Sequence, residues 1–117
     1  GTIIGIAQAL KANDSRTKII VIEPAESNVL SGGKAGAHKI QGIGEGFIPR
    51  ILKDHIKLID EVIVVKSQDA IAMSKNLARK NGMLVGVSSG ANMWAAKQLR
   101  KKYNRIVTVF PDRKRDL

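Results

Sequence analysis

Two short runs of β-branched residues constrain the fold of this chain more than any other feature of its sequence. Residues 18–22 (Lys-Ile-Ile-Val-Ile) and 61–65 (Glu-Val-Ile-Val-Val) are almost continuously apolar, which is typical of strands that are buried on both faces of a sheet. Segments in which apolar residues recur at helical spacing lie before and after these runs, and the first of them is residues 3–12. This alternation predicts an α/β fold in which helices cover a parallel sheet and right-handed crossovers join the strands.

Local signals predict the limits of the helix that follows the second run. Ser67 is expected to cap its N-terminus, with Asp69 in the first turn, where the positive end of the helix dipole favours an acidic residue. Gly82 is expected to end the helix in the left-handed conformation. The buried face of this helix is predicted to comprise Ile71, Ser74, Leu77 and Ala78.

Further elements are predicted on both sides of these strands. Residues 26–31 favour a short helix, whereas residues 51–59 are ambiguous. Residues 83–87 favour a short strand or extended segment, residues 89–102 a helix, and residues 106–110 a final strand. The buried stripe of the last helix is predicted to consist of Ala91, Trp94, Ala95, Gln98 and Leu99.

Composition limits the classes of function that are compatible with the chain. Its 117 residues form at most one domain, and with 44% hydrophobic but only 3% aromatic residues its core must be aliphatic. The absence of cysteine excludes disulfides and thiol catalysis within the chain. The two histidines are too far apart to suggest a metal site. Neither a membrane span nor a signal peptide is recognisable, so we expect a cytoplasmic protein without membrane contact.

The strong positive charge makes a polyanion-binding module a rival hypothesis. The chain has 20 basic and 10 acidic residues and a formal net charge of +10, which is compatible with a nucleic-acid partner. The charges are spread over several helix faces, however, and no aromatic residues alternate with them as stacking platforms would. We therefore expect no nucleic-acid partner and keep a non-catalytic basic binding module as the alternative.

A glycine-rich loop is the strongest local signal of function. Residues 38–49 (H-K-I-Q-G-I-G-E-G-F-I-P) place glycine at every second position from Gly42 to Gly46, which suits neither a helix nor a strand. The spacing alone leaves two interpretations open. The glycines either form turns in a surface loop or allow the backbone to approach a ligand closely.

The segment 86–90 (G-V-S-S-G) matches the G-x-S-x-G pattern of an α/β-hydrolase nucleophile elbow. In that fold the catalytic histidine follows the serine, whereas His38 and His55 both precede it here. A complete triad in the usual order is therefore impossible within this chain. The favoured interpretation is that Ser88 or Ser89 caps a helix and that Gly90 relieves crowding.

Five segments together resemble the cysteine synthase (O-acetylserine sulfhydrylase) family, which consists of pyridoxal-phosphate-dependent enzymes of fold type II. The resemblance extends over nearly the whole chain, and the motifs occur in the family's order. They are G-T-I-I-G at 1–5, I-E-P at 22–24, the glycine-rich loop, V-G-V-S-S-G-A at 85–91 and V-T-V-F-P-D at 107–112.

The resemblance implies that residues 1–117 are one partial domain, the C-terminal part of a β-replacement enzyme and the greater part of its larger cofactor domain. Such an enzyme forms L-cysteine from O-acetylserine and sulfide with pyridoxal phosphate as cofactor. Gly1 and Thr2 would contact the cofactor phosphate. The substrate-cleft loop would comprise Gln41, Gly42, Ile43 and Gly44.

The same resemblance places the cofactor-carrying lysine and the S-G-N-T-G substrate loop in a missing N-terminal half. We therefore expect no catalytic residue in this chain, no metal, and no turnover by the chain alone. The family is typically homodimeric. Cystathionine β-synthase-like and O-phosphoserine-using enzymes are the nearest alternatives.

One position departs from the family pattern. Arg113 stands where the family has a serine that hydrogen-bonds the pyridine nitrogen of the cofactor. Three interpretations stay open: the arginine points into solvent, the electronic environment of the ring differs, or the sequence is cut or altered at this point. We do not transfer the role of the serine to Arg113.

Overall fold

The computed structural model describes residues 2–13, 16–37, 40 and 50–113. Four α-helices and two strands occur in this part of the chain, with single 3₁₀ turns at Ala25–Ser27, Val29–Ser31 and Ile56–Leu58. The main elements are α1 (Thr2–Ala12), β1 (Ile20–Pro24), α2 (Arg50–Asp54), β2 (Glu61–Val65), α3 (Ser67–Asn81) and α4 (Val87–Leu99).

The two strands form the predicted parallel sheet, but the predicted burial on both faces is not found in the described structure: residues 20–22 and 61–63 are only half-buried and Val64 is exposed. Ile20 is paired with Glu61 and Pro24 with Val65, so the strands are in register along their whole length. β2 has the predicted limits, whereas β1 begins two residues later than expected and includes Pro24. Proline is tolerated there because it is the last residue of the strand and its missing N–H removes little from the ladder.

The core lies where α3 and α4 pack against each other and α4 covers both strands. Four buried residues from four different segments form its centre: Ile40, Val65, Ala70 and Ala91. The close approach of the two helices requires glycine at position 90. A Cβ there would lie 2.2 Å from the carbonyl oxygen of Ala70, which confirms that Gly90 relieves crowding.

The predicted end of α3 is confirmed, but its predicted cap is not. Gly82 adopts φ 66° and its N–H bonds the carbonyl oxygens of Leu77 and Ala78, as a left-handed helix stop requires. Ser67 is the first helical residue instead of the cap, and the capping position, Lys66, makes no side-chain capping bond. Ser74 and Leu77 are buried as predicted, whereas Ile71 and Ala78 are only half-buried.

Of the two C-terminal predictions, the extended segment is found and the final strand is not. Residues 83–86 belong to no helix or paired strand, as the extended alternative allows; Val85 forms an isolated antiparallel bridge with Arg113, Gly86 is the capping position of α4 and Val87 is its first residue. Residues 106–110 are irregular. An isolated β-branched run does not form a strand without a neighbour to accept its backbone hydrogen bonds.

The last helix also differs from its prediction at both ends. α4 begins two residues earlier and ends three residues earlier than expected. Ala91, Ala95 and Leu99 are buried and Trp94 is half-buried, but Gln98 is exposed. A polar amide at that position stays in water because nothing in the described structure covers this side of the helix end.

Candidate functional site

The predicted site residues lie at the margins of the described structure. Gly1 and the loop residues 41–44 lie outside the described residues. Thr2 is the first residue of α1, and only its backbone is described. The site must therefore be built from the residues that flank these positions.

Ile40, the residue before the predicted substrate-cleft residues, is part of the core. Its side chain is 0% exposed and packs in one cluster with Val65, Ala70 and Ala91. Val65 is the last residue of β2, so the residue that precedes Gln41 is anchored at the carboxyl edge of the sheet. Ligands of open α/β sheets bind outside this edge.

A buried carboxylate organises the chain after β1 at the same edge. Glu23 is 2% exposed. It accepts hydrogen bonds from the backbone N–H of Leu30 at 2.6 Å and from the Ser31 hydroxyl at 3.1 Å. These bonds give the buried carboxylate hydrogen-bond partners and hold the second 3₁₀ turn, Val29–Ser31, against the strand end.

A second carboxylate caps α3 from a distant part of the chain. Glu26 accepts hydrogen bonds from the Ser67 backbone N–H at 2.9 and 3.1 Å and from its hydroxyl at 3.0 Å. A negative charge at this position is favourable because free N–H groups and the positive end of the dipole lie at a helix N-terminus. No local sequence signal indicates this contact, because the two residues are 41 positions apart.

A third carboxylate does the same at α4. The Ser89 N–H donates to Asp112 Oδ1 at 3.3 Å, and the Ser89 hydroxyl donates to the Asp112 carboxylate and to its carbonyl oxygen. Gly86 must be glycine because a Cβ would lie 1.9 Å from Asp112 Oδ2. Asp112 therefore ties the segment after residues 106–110 to the first turn of α4.

This contact corrects the capping role predicted for Ser88 or Ser89. The capping position of α4 is Gly86, and no side chain of the helix itself makes the capping bond. Ser88, the central serine of the G-x-S-x-G pattern, is buried at 6% exposure. A buried serine in a helix lacks the exposure that a hydrolase nucleophile elbow gives to its serine.

The first turn of α1 is chemically different from those of α3 and α4. It contains no acidic residue, whereas carboxylates of the chain occupy the N-termini of the other two long helices. Helix N-termini bind anions through free backbone N–H groups and the helix dipole. The donor set at the start of α1 thus fits a phosphate group.

The opposite end of α1 is fixed at the amino edge of the sheet. Lys11 forms an ion pair with Asp60 at 3.3 Å, and Asp60 also accepts the Ile19 N–H at 2.7 Å. The Ile19 hydrogen bond lowers the pKa of Asp60, with a further contribution from Lys11 and against the effect of burial. Because α1 is about 16 Å long, its first turn lies well away from this edge.

Arg113 is exposed and forms a backbone bridge with Val85. The interpretations of this departure from the family pattern stay predictions, because the chain spans only about a third of the length of its relatives.

The described residues contain neither a metal-binding cluster nor a membrane-spanning helix. In that part of the chain, no three His, Asp or Glu side chains are arranged to hold a metal ion. None of the helices described is both long and apolar enough to cross a membrane.

Comparison with known proteins identifies the relatives of the chain. The family model described as pyridoxal-phosphate dependent enzyme matches residues 1–112. Cysteine synthase B of Campylobacter jejuni is 50% identical over 114 residues, which are 96% of this chain and 37% of that protein. The crystal structure of a cysteine synthase from Entamoeba histolytica matches with a TM-score of 0.89 at 41% identity, over 97% of this chain and 34% of that one.

A related enzyme of different specificity matches with similar quality. The structure of an O-acetylserine-dependent cystathionine β-synthase from Helicobacter pylori has a TM-score of 0.84 at 36% identity, over 96% of this chain and 37% of that one. These structures confirm the predicted α/β fold. The chain spans about a third of the length of the relatives that it matches.

Proposed function

This chain belongs to the pyridoxal-phosphate-dependent enzyme family, and we propose that it is part of a cysteine synthase that makes L-cysteine from O-acetylserine and sulfide. The 50% identity with cysteine synthase B over 114 residues carries this proposal. Residues 1–117 would form one partial domain, with the remaining length of the enzyme supplied by chain outside this sequence.

The cofactor phosphate would bind at Gly1 and Thr2. The first turn of α1 has no acidic residue, so its backbone N–H groups are suited to a phosphate. Pyridoxal phosphate supplies the electron sink that makes β-replacement possible. The contribution of this chain would be to hold the phosphate and to orient the cofactor relative to the sheet edge.

The substrate cleft would be lined by Gln41, Gly42, Ile43 and Gly44. Their attachment to the buried Ile40 at the carboxyl edge of the sheet supports this assignment. Glycines in this loop would let the backbone approach the substrate and would permit the loop to close over it, excluding water from the reaction.

The rest of the enzyme would supply what this chain lacks. We propose that the cofactor-carrying lysine lies in the part of the relatives' length that this chain does not match, and that the complete enzyme is a cytoplasmic homodimer. The isolated chain would then have no turnover.

The experiment compares the complete protein with the isolated chain. Purified samples are incubated with O-acetylserine and sulfide, and cysteine is measured. We expect turnover by the complete protein only. Cysteine formation by the isolated chain would contradict the assignment of the lysine to the remaining length.

Alternative substrates distinguish the related enzymes. O-phosphoserine replaces O-acetylserine in one assay, and a thiol amino acid replaces sulfide in another. A preference for O-phosphoserine would favour an O-phosphoserine-using enzyme, and a preference for the thiol amino acid would favour a cystathionine β-synthase. Salt-sensitive polyanion binding without turnover of any of these substrates by the complete protein would favour the basic binding module.

A matched pair of variants tests the phosphate site. Thr2→Val removes a hydroxyl at the start of α1, and Thr17→Val makes the same change at an exposed residue just before β1, at the amino edge of the sheet. We expect weaker binding of pyridoxal phosphate to the complete protein with Thr2→Val but not with Thr17→Val. Equal binding by both variants would exclude a role for the Thr2 hydroxyl.

A further inference from the structure

We propose that the end of α4 is a docking surface for an acidic segment of a partner protein. The surface consists of four exposed cations, which we call the basic patch: Lys97, Arg100, Lys101 and Arg105. The proposal goes beyond the proposed function and does not depend on it, because none of these residues is assigned to the cofactor or to the substrate cleft.

The basic patch lies in a part of the chain that contains no acidic residue. Residues 70–111 have eight basic and no acidic side chains, so any neutralising charge must come from another segment. Lys102 obtains such a charge through an ion pair of 3.3 Å with Glu61. None of the four patch cations forms an ion pair with a described residue.

Helical geometry brings three of the patch cations to one side of the chain. Arg100 keeps right-handed helical torsion angles after the last residue of α4, so Lys97 lies three and four residues before Arg100 and Lys101 on neighbouring positions of one face. Like charges at this spacing repel each other. The helix dipole favours cations at a C-terminus, but its effect falls off within the last turn and does not account for Arg105.

The backbone that carries the basic patch is held in place. The N–H groups of Lys102 and Tyr103 both donate to the Leu99 carbonyl oxygen at 3.0 Å, and the Leu99 side chain is buried. The ion pair of Lys102 joins the same turn to Glu61 at the start of β2. The cations are thus displayed on an ordered turn, which lowers the entropy cost of binding a partner.

The chemistry of the turn favours carboxylates over nucleic acid or lipid. Four unpaired cations are few for a nucleic-acid site, which often makes about 6–10 phosphate contacts. Tyr103 is half-buried, and the Lys102 Nζ lies 5.5 Å from the centre of its ring, so the ring is not an open stacking platform. Leu99 is buried and cannot insert into a membrane. An acidic peptide needs only the exposed cations.

The experiment uses the complete protein and, as probe, a fluorescein-labelled peptide of about ten glutamates. Fluorescence anisotropy gives the Kd at about 50 and about 200 mM salt. The triple variant Lys97→Gln/Arg100→Gln/Lys101→Gln should raise the Kd about tenfold at the lower salt concentration, because three exposed ion pairs are lost. The difference from wild type should shrink at the higher concentration, where salt screens the charges.

A matched triple variant tests whether the position of the charges matters. Lys75→Gln/Arg79→Gln/Lys80→Gln removes the same charge from exposed positions of α3 in the same acid-free part of the chain and should change the Kd less than about twofold. Lys97→Arg/Lys101→Arg keeps every charge and should bind as wild type does, which tests the patch even if the glutamine variant folds poorly. Cysteine formation should be unchanged in all three variants.

Three results would overturn the proposal. One is the absence of peptide binding by the wild-type protein at the lower salt concentration. Another is equal weakening by the α3 variant, which would indicate a response to net charge alone. The third is tighter binding of a DNA duplex or of phosphatidylserine vesicles than of the peptide. Peptide binding at the patch without cysteine formation by the wild-type protein would contradict the proposed function alone.

Discussion

Residues 61–65 and 106–110 are both five-residue runs rich in β-branched side chains, but only the first is a strand. Val65 at the end of β2 is 0% exposed, whereas Val107 in the second run is 88% exposed. Val109 and Phe110 are also exposed, at 47% and 36%. Similar composition therefore leads to different environments within one chain: β2 is mostly half-buried and ends in the fully buried Val65, although Val64 is 38% exposed, whereas Val107, Val109 and Phe110 are all exposed.

Neighbouring segments explain the difference. β2 pairs with β1 along its whole length and is covered by α4. Residues 106–110 pair with neither strand of the described sheet. One hydrogen bond holds this run to α4: the Asn92 side-chain amide donates to the Val109 carbonyl at 2.9 Å. The comparison shows that β-propensity describes how well a residue fits a half-buried sheet surface and does not create that surface.

The largest expected effect tests the cover over β2. Gly90→Ala should destabilise the chain by about 3 kcal/mol, because the new Cβ overlaps the Ala70 carbonyl oxygen and must push α3 away from α4. Urea unfolding of the chain measures this loss. Gly82→Ala makes the same change at the end of α3, where a Cβ would meet no atom within 4 Å but the backbone has a positive φ. This control therefore measures the cost of backbone conformation without the steric overlap that Gly90→Ala introduces. Wild-type stability of Gly90→Ala would contradict the tight packing of the helices.

The next effect tests the burial of β2 itself. Val65→Ala removes two methyl groups from a fully buried position and should cost about 2 kcal/mol of unfolding free energy. Denaturant unfolding again provides the value. If the loss of unfolding free energy were as small as at an exposed position, Val65 would not be packed against Ile40 and Ala91, and the buried cluster would be contradicted.

A smaller effect tests the connection between β1 and β2 at the amino edge. The pKa of Asp60 is lowered in the folded chain, so its ionised form contributes stability above its unfolded pKa, which is near 4. That contribution is lost as the pH falls from about 5 through the folded pKa.

Because Asp60 is partly exposed, Asp60→Asn should cost only about 0.5 kcal/mol at pH 7, and the difference from wild type should shrink below pH 4. Unfolding measured from pH 7 to pH 3 checks this. A constant difference at all pH values would show that the charge is not responsible.

The smallest effect tests the unpaired run. Val107→Ala makes the same change as Val65→Ala but at an exposed position, and it should alter the unfolding free energy of the chain by less than about 0.5 kcal/mol. If the two variants were equally destabilising, residues 106–110 would be packed in solution and the comparison would fail.

The helices and strands around the candidate site could be predicted from local sequence, but the hydrogen bonds that link them could not. Ser67 illustrates the limit: its position marks the start of α3, but its partner is Glu26, 41 residues away. Nothing in the flanking residues signals such a contact. The same holds for Asp112 and Ser89, for which the sequence predicted a local cap.

The sequence by itself determined the parallel strands, the left-handed end of α3 at Gly82, the need for Gly90 and the family to which the chain belongs. These depend on backbone preferences and side-chain periodicity that act within a few residues. Only the tertiary structure decided that residues 106–110 form no strand and that Glu26 and Asp112 cap the helices. Strand pairing and remote capping require partners distant in sequence, and the position of such partners depends on how the whole chain packs.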